Sequence, residues 1–375
     1  MASAVVGVAI IRRGQLLAAQ RAYPAAEAGR WELPGGKCIA GESLAQSAER
    51  EIREELHCEI ANIQELSGSS RIDDQYVLHV VTASLVHGTP SSTEHLGLRW
   101  VDPEYLDELD WLEPDRPHLP ALKEIMLDGE PLPGGATGGA TRVGETVRRP
   151  TGLWTPAVHD LLRYLKANRL AAPEVLGIDS RDREILRYIA GSTHEPDDDL
   201  LSEQQVGSIA SQLKQFHDAV ANYRPTGEVQ WRYGRSELQA DQIICHNDPG
   251  SYNWAFDGDD AVGLFDWDMA GPGDRLDDVA FAAWTAIPLY RDIVPNEVAR
   301  RLIVFADSYR HYSPLHIFDA SVLRMSTASD RIAAGQRQGD PGLLNLAKVG
   351  EPARTRARVR YAESHRDAIA ARLHV

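Results

Sequence analysis

A segment rich in glycine and proline divides this 375-residue sequence into two parts with different patterns. Residues 128–152 read DGEPLPGGATGGATRVGETVRRPTG, and glycine and proline interrupt helices and strands alike. The chain is long enough for two or three domains of about 150 residues each. Because TRVGETVRR alternates like a strand, we assign the glycines to the second part and predict domains at 1–131 and 132–375.

The charge balance limits the partners of the chain. Asp and Glu number 55 and Lys and Arg 39, so the formal net charge is −16 at pH 7. Such a surface repels the phosphate backbone of nucleic acids and the head groups of anionic membranes. We therefore expect neither a nucleic-acid polymer nor a membrane as partner, while the oligomeric state stays open. A phosphorylated substrate would have to meet metal ions or local basic residues.

Cysteine use and hydropathy favour a cytoplasmic location. Cys38, Cys58 and Cys245 form no CxxC pair, which argues against a disulfide scaffold or a zinc cluster. The N-terminal MASAVVGVAIIRRGQ has its apolar run before its arginines, which is typical of a first strand and not of a signal peptide. The apolar runs are far shorter than the ~18–20 residues that span a bilayer.

The first part alternates predicted strands and helices, which favours an α+β class with a small mixed sheet. Apolar and β-branched runs predict the strands, and segments free of glycine and proline predict the helices. The expected strands are AVVGVAII and LLAAQR around a turn at Arg13–Gly14, then residues 76–86 and 96–101; the expected helices are residues 43–57 and 119–127.

Three glutamates lie on one face of the helix predicted over residues 43–57. Glu51, Glu54 and Glu55 are spaced i, i+3 and i+4, so their like charges should repel one another. A solvated acidic face is the ordinary explanation of such a helix. Clustered carboxylates are also the ligands that Mg²⁺ prefers, and Gly36 can bring a backbone carbonyl close to the same ion.

The segment from residue 36 to residue 58 resembles the Nudix box, a Gly, five residues, a Glu, seven residues, then Arg-Glu-aliphatic-any-Glu-Glu-any-Gly-aliphatic. The matching residues are Gly36, Glu42, Arg50, Glu51, Ile52, Glu54 and Glu55. The preceding WELPGGK is similar to the segment before the box in the MutT-like branch. The one departure is His57 in place of the glycine, where we expect a left-handed helix end at a small cost in stability.

This resemblance implies a fold and a reaction. The fold would be an α/β/α sandwich with a mixed sheet, and the reaction hydrolysis of a nucleoside triphosphate, oxidised ones included, to monophosphate and pyrophosphate. Mg²⁺, with Mn²⁺ as an alternative, would be held by Glu51, Glu54, Glu55 and the Gly36 carbonyl and would activate water. Arg50 would orient the carboxylates, and one of the glutamates or another loop carboxylate would be the general base.

Recognition of the nucleotide base is predicted at Asp115. The segment DWLEPDRPHLPAL (residues 110–122) resembles the segment after the last strand of the MutT-like pyrophosphohydrolases, where Asp or Asn meets the base edge. The alternative is that Asp115 caps the helix that follows it.

The second part contains a spacing typical of kinase catalytic loops. The run ICHNDPGSYNWAFDGDDAVGLFDWD includes His246, Asp248, Asn253, Asp266 and Asp268. In an H-x-D-x-x-x-x-N loop, Asp orients and deprotonates the acceptor hydroxyl, and Asn binds Mg²⁺. An ordinary Asx-rich turn is the alternative for such a loop on its own.

The second part resembles the aminoglycoside phosphotransferase-like family of small-molecule kinases, through His246–Asn253, Phe265–Asp268 and Gly273–Ala280. The resemblance implies Asp248 as catalytic base, Asn253 and Asp266 as metal ligands, and Asp278 as an anchor of the loop. It implies a kinase-like fold with a reduced N-lobe (132–190) and a mostly helical C-lobe (191–375).

The nucleotide-binding half departs from that family. GGATGGA (residues 134–140) could be a phosphate-covering loop or a flexible linker. Arg148 and Arg149 stand where a kinase has its lysine, and Arg is not equivalent to Lys. The next helix has Val158, His159 and Asp160 where the partner glutamate is expected. Two alternatives therefore stay open for the second part. It is either a kinase that uses ATP as co-substrate with a small-molecule phosphate acceptor, or a non-catalytic ligand-binding or partner module.

Overall fold

The computed structural model describes residues 3–92, 94–132, 139–197, 200–225, 229–233 and 237–373. Within them the chain forms two compact units, residues 3–132 with 139–148, and residues 149–373. Most of the GGATGGA segment lies outside the described residues. None of the helices in the described part of the chain has the length and apolar character needed to cross a membrane.

The first unit is built on a mixed sheet. Strands β1 and β6 pair in parallel, and the other pairs are antiparallel. The strand order is β3-β2-β1-β6-β5, with β4 added beside β1 and β7 beside β2. The strands are β1 Ser3–Arg12, β2 Gln15–Arg21, β3 Trp31–Glu32, β4 Gly35–Lys37, β5 Glu59–Arg71, β6 Tyr76–His87 and β7 His95–Val101.

Two helices cover the opposite faces of this sheet, as the α/β/α expectation requires. Alternate side chains of a strand point to opposite faces, so β1 contributes to both cores. One core packs Val6, Val8 and Ile10 against helix α1 (Leu44–Leu56). The other packs Ala9 against helix α2 (Leu119–Asp128). Two 3-10 segments, Pro103–Glu108 and Arg116–His118, precede α2.

Helix α1 ends in the predicted left-handed conformation. His57, its C-cap, has φ 57° and ψ 37°, in the region where glycine is favoured. The departure from the Nudix pattern at this position therefore keeps the backbone geometry of the motif.

After α2, the first unit extends further along the chain than the sequence predicts. Strand β8 (Glu130–Pro131) pairs with β9 (Thr141–Val143), which pairs with the first half of β10 (Thr146–Pro150). Val143 is fully buried, and the Gly144 amide donates to the Arg13 carbonyl. Because these contacts tie residues 139–148 to the first unit, the compact units divide later than the predicted boundary near residue 131.

The second unit begins with a small β part and continues as helices, which agrees with the predicted fold class. Strands β11 and β12 form a hairpin, β13 pairs with β16, and β14 pairs with β15. The strands are β11 Val175–Ile178, β12 Arg183–Arg187, β13 Ile243–Cys245, β14 Trp254–Asp257, β15 Asp260–Leu264 and β16 Gly271–Gly273. The helices are α3 Thr155–Ala167, α4 Glu203–Val220, α5 Arg275–Ala286, α6 Pro295–Tyr309, α7 Pro314–Gln338, α8 Pro341–Leu346 and α9 Ala353–Ala370.

One core supports the kinase-like loop of this unit. Helices α4, α5 and α6 bury Phe216, Trp284 and Phe305 together with the side chains of β13. The loop that follows β13 leaves this core directly at His246, which is itself buried. The loop is thus fixed at its start by a packed strand.

Candidate active sites

Helix α1, which carries the glutamates, is held in place by its N-cap and by its buried face. Its N-cap Ser43 forms a capping box with Gln46, in which each side chain bonds the other residue's backbone amide, an arrangement that stabilises helix starts. Ala48, Ile52 and Leu56 are fully buried, at the i, i+4 spacing of one helix face. The remaining face, with Glu51, Glu54 and Glu55, is therefore fixed in direction.

Arg50 ties the acidic residues together. Its Nε and one terminal nitrogen donate to the two Glu42 oxygens at 3.0 Å each, and its other terminal nitrogen donates to Glu51 at 2.7 Å and to Glu54 at 3.3 Å. The hydrogen bond with Arg50 is the main reason why the pKa of Glu42 falls to about 2. Arg50 thus offsets part of the repulsion and orients the carboxylates, as the resemblance implied.

Gly36 allows a carboxylate to lie directly against the backbone. A Cβ atom at residue 36 would lie 2.5 Å from Cδ of Glu51, a distance that would force one of the two residues to move. The neighbouring Gly35 amide donates to Glu55 Oε2 at 3.2 Å. Strand β4 and the helix face therefore meet through Glu51 and Glu55.

Glu55 is a carboxyl group with a strongly perturbed environment. Burial raises its pKa to about 7; the nearby His95 and the Gly35 amide oppose the rise, and the charges of Glu51 and Glu94 add to it. Carboxylates held this close together are arranged as the ligands of a divalent cation are. Because Gly36 has no side chain, its backbone can lie close to these carboxylates. This set of oxygen donors fits Mg²⁺ or Mn²⁺.

A second group of polar residues, which was not predicted from the sequence, lies next to these glutamates. Glu32, on β3, pairs with Arg21, and His95 Nε2 lies 3.6 Å from Glu32 Oε1. The hydrogen bond with Glu32 is the main cause of the raised pKa of His95. Only the position of Glu32 within WELPGGK could have indicated this group, because His95 comes from a strand that is distant in the sequence.

Asp115 is buried and does not cap the helix that follows it. Its side chain is 4% exposed and accepts a hydrogen bond from the Leu33 amide at 3.2 Å. It makes no capping hydrogen bond to the 3-10 segment that begins at Arg116. Burial raises the pKa of Asp115 to about 7, so the group is largely neutral below neutral pH.

The predicted catalytic loop of the second unit is held closely around Asp248. The Tyr252 hydroxyl donates to Asp248 Oδ1 at 2.6 Å, and the Asn253 amide donates to the Asp248 carbonyl at 2.9 Å and to Oδ2 at 3.3 Å. Burial raises the pKa of Asp248 to about 7, against the opposing effect of the Tyr252 hydrogen bond. The predicted base is thus enclosed by its own loop.

Asp278 anchors this loop from helix α5. Its two oxygens accept the backbone amides of His246 and Asn247, each at 2.8 Å. His217 Nε2 lies 3.2 Å from Asp278, and its Nδ1 lies 2.7 Å from the Tyr309 hydroxyl. The buried carboxylate therefore fixes the backbone just before Asp248, in the role that the resemblance implied.

The two arginines of β10 have different partners. Arg149 donates to Asp266 Oδ1 at 2.9 Å, approaches Asp268 at 2.8 Å, and lies 3.6 Å from Glu184. Burial alone would lower the pKa of Arg149, but these three carboxylates more than offset it, so the pKa is raised. Glu184 comes from β12 and also contacts His159 Nε2 at 2.8 Å, so the glutamate that meets Arg149 lies on a strand.

Arg148 was predicted to contact a nucleotide, but its buried position does not agree with that prediction. It is 1% exposed and pairs with Glu104 at 2.7 Å within the first unit. Successive residues of a strand point to opposite sides, so Arg148 turns away from the direction that Arg149 takes.

A further arginine, absent from the sequence analysis, reaches the same acidic cluster. Arg232 donates to Asp268 Oδ2 at 3.0 Å. Its guanidinium lies 4.5 Å from the Trp154 ring centroid and 5.6 Å from that of Tyr233, which are cation–π distances. Asp268 therefore bridges two arginines.

Comparison with known families agrees with both resemblances. Residues 1–122 match the sequence model of the NUDIX domain. Residues 229–315 match that of the phosphotransferase enzyme family.

Curated relatives match parts of the chain. A Mycobacterium tuberculosis protein, whose name gives 8-oxo-dGTP diphosphatase as a provisional activity, is 40% identical over 128 residues, 32% of this chain and 89% of that protein. CTP pyrophosphohydrolase of Escherichia coli is 34% identical over 123 residues, 32% of this chain and 91% of that protein. The trifolitoxin immunity protein of Rhizobium leguminosarum bv. trifolii is 36% identical over 178 residues, 46% of this chain and 67% of that protein.

Proposed function

Because this chain belongs to the Nudix family and also carries a phosphotransferase-like domain, we propose that its first unit is a Mg²⁺-dependent nucleoside triphosphate pyrophosphohydrolase. The products would be the nucleoside monophosphate and pyrophosphate. The observation that carries the proposal is the group of Glu51, Glu54 and Glu55 beside Gly36, ordered by Arg50.

Each residue of this group has a part in the reaction. When bound, the divalent ion would supply charge neutralisation for the phosphates and a more acidic water. Glu51, Glu54, Glu55 and the Gly36 carbonyl would hold it, while Arg50 keeps Glu51 and Glu54 in place by charge-assisted hydrogen bonds. A carboxylate must also take a proton from the attacking water, and one of these glutamates or another carboxylate on a loop would be this general base.

Asp115 is our candidate for contact with the nucleotide base. A neutral carboxyl group offers both an O–H donor and a carbonyl acceptor, which suits the polar edge of a base. The names of the relatives include 8-oxo-dGTP and CTP, so oxidised purine nucleotides and pyrimidine nucleotides are the substrates to test first. A screen of nucleoside triphosphates with separate pyrophosphate and phosphate readouts tests this proposal; no pyrophosphate from any nucleotide would refute it.

In the wild type, the ionisation of Asp115 is expected to lower the free energy of unfolding as pH rises. Replacing Asp115 by Asn is expected to abolish this decrease. The pKa of Asp115 moves from 3.8 to about 7 on folding, so between these pH values the unfolded chain releases a proton that the folded chain keeps. The free energy of unfolding therefore falls as pH rises through this window, by up to roughly 4 kcal/mol, and levels off above it. Asn cannot ionise, so the variant lacks this contribution.

Urea unfolding at pH 4.5 and pH 7.5 measures this difference. Other groups titrate equally in both proteins, so the pH-dependent gap between wild type and Asp115→Asn isolates Asp115. Parallel stability curves would show that Asp115 is ionised and solvated in the folded chain.

A second candidate function belongs to the second unit, where Asp278 and Asn253 hold Asp248 in a kinase-like loop. It is ATP-dependent phosphorylation of a small hydroxyl or amine metabolite, with Asp248 as the base. A non-catalytic ligand-binding module is the alternative, and it predicts no ATP consumption in the second unit.

Replacing Asp248 by Ala is expected to abolish any ATP consumption that survives Glu55→Gln, because no carboxylate would then orient the acceptor hydroxyl. Coupled ADP release measures it. Asp257→Ala, at an exposed acid of β14, is the matched control and should leave the rate unchanged. Equal ATP consumption with and without Asp248 would assign the activity elsewhere.

A further inference from the structure

The second unit contains a cluster in which three carboxylates surround one arginine. Arg149 lies within 2.9 Å of both Asp266 and Asp268 and within 3.6 Å of Glu184. These acids come from two distant parts of the chain: Glu184 from β12, and Asp266 and Asp268 from the 3-10 turn Trp267–Met269 and the residue before it. The cluster is thus assembled by the fold and is not a local accident of one acidic run.

Most of the cluster is sheltered from solvent, so its charges need a partner inside it. The side chains of Arg149, Asp268 and Glu184 are 15%, 12% and 4% exposed, whereas that of Asp266, at the edge of the cluster, is 37% exposed. Like charges in such an environment are costly without an internal cation. A planar guanidinium with five N–H donors can serve several carboxylates at once, which a compact ammonium cannot do as well. Arg149 has the charge and the shape that this cluster requires.

The resemblance to kinases assigns Asp266 and Asn253 to a metal ion, and this arrangement does not fit one. Asp266 is already engaged by Arg149, and the Asn253 amide is turned to Asp248. A divalent ion on Asp266 would compete with Arg149 for Oδ1 and would repel the guanidinium at contact distance. Asp268, the neighbouring carboxylate, is shared between Arg149 and Arg232.

We propose that Arg149 is the resident cation of the second unit: it neutralises Asp266, Asp268 and Glu184 and thereby excludes free divalent metal ions from this site when no nucleotide is bound. The site binds a divalent ion by itself only weakly, and removal of the Arg149 charge converts the same three carboxylates into a metal site. This inference does not depend on the reaction of the first unit.

Mn²⁺ binding to the full chain tests the proposal. Glu54→Gln with Glu55→Gln provides the background, because it removes ligands of the first unit's predicted metal site. In that background, Arg149→Gln is expected to tighten Mn²⁺ binding by at least about tenfold, measured by the electron paramagnetic resonance signal of free Mn²⁺. Adding Asp266→Asn should remove the gain, because the new site depends on that carboxylate.

Arg275→Gln is the matched control. Arg275 lies in the same unit and pairs with Asp218 at 3.1 Å, so its removal changes the net charge equally but leaves the cluster intact. Mn²⁺ affinity should change less than about twofold in this variant. An equal gain in both variants would show a general charge effect and overturn the proposal.

Two further variants keep the test independent of the folding of Arg149→Gln. Arg149→Lys retains the positive charge and should give a smaller gain than a neutral residue. Asp266→Asn alone, in the same background, should leave the weak Mn²⁺ binding unchanged, because Arg149 already masks this carboxylate. Tight Mn²⁺ binding in the background that Asp266→Asn abolishes would overturn the proposal and restore Asp266 as an ordinary metal ligand.

Discussion

Replacing Glu54 by Gln is expected to reduce pyrophosphate release from nucleoside triphosphates by about 10²- to 10³-fold. Glutamine keeps the size of the side chain but removes the charge that a divalent ion requires. Glu54 is the most exposed of Glu51, Glu54 and Glu55, so the fold should tolerate the change. Glu55→Gln is expected to have an effect of the same order, since Glu55 faces both the other ligands and the Gly35 amide.

Glu49→Gln provides the control for this experiment. Glu49 lies on the same helix and is exposed, and it also loses one charge on substitution. Its rate should stay within about twofold of the wild type, because a screened surface charge acts weakly at a distance. Full activity of Glu54→Gln, or an equal loss in Glu49→Gln, would contradict the assignment of the metal ligands.

Replacing Gly36 by Ala is expected to lower the rate by about a hundredfold, because a displacement of about 1 Å at a reacting centre has an effect of this size. The added Cβ would lie 2.5 Å from Cδ of Glu51 and 2.6 Å from its two oxygens. Either the carboxylate or the Gly36 carbonyl must then leave its position. The loss should appear mainly as a weaker affinity for Mg²⁺, measured as a higher Mg²⁺ concentration for the half-maximal rate.

Gly97→Ala is the matched control for this substitution. A Cβ at residue 97, on β7, would meet its nearest neighbour, Gln20 Oε1, at 3.8 Å, which is ordinary contact. The rate and the Mg²⁺ dependence should be unchanged. A Gly36→Ala variant with wild-type Mg²⁺ dependence would show that Glu51 and strand β4 do not act together.

Much of the first unit could be predicted because its signals are local. A few consecutive residues are enough to show the periodic pattern of apolar side chains in these elements. They are the strands on either side of Arg13–Gly14, the helix with the glutamates and the buried strand at 76–86. The left-handed His57 was predictable because its place in the motif demands a helix end. The fixed spacing of the glutamates then located the site.

Strand β5 was not predicted because its pattern is irregular. Glu59–Arg71 contains mostly exposed or half-buried residues, and its pairing with β6 shifts register at several points. Such shifts break the period-two signal on which strand prediction depends. The strand is specified by its partner β6 and not by its own sequence.

The partners of the β10 arginines could not be read from the sequence. Strand geometry separates Arg148 from Arg149, but nothing local shows that one meets Glu104 and the other meets Glu184 and Asp266. Ion pairs between distant segments depend on the complete fold. The same holds for Arg232, whose role depends on Trp154 and Asp268.

Product analysis of the full chain with one nucleoside triphosphate, in Mg²⁺ and in excess chelator, tests the central claim most directly. The account predicts equal amounts of nucleoside monophosphate and pyrophosphate in Mg²⁺, and neither product when the metal is chelated. Release of nucleoside diphosphate and orthophosphate in place of these products, or an undiminished rate in chelator, would contradict it.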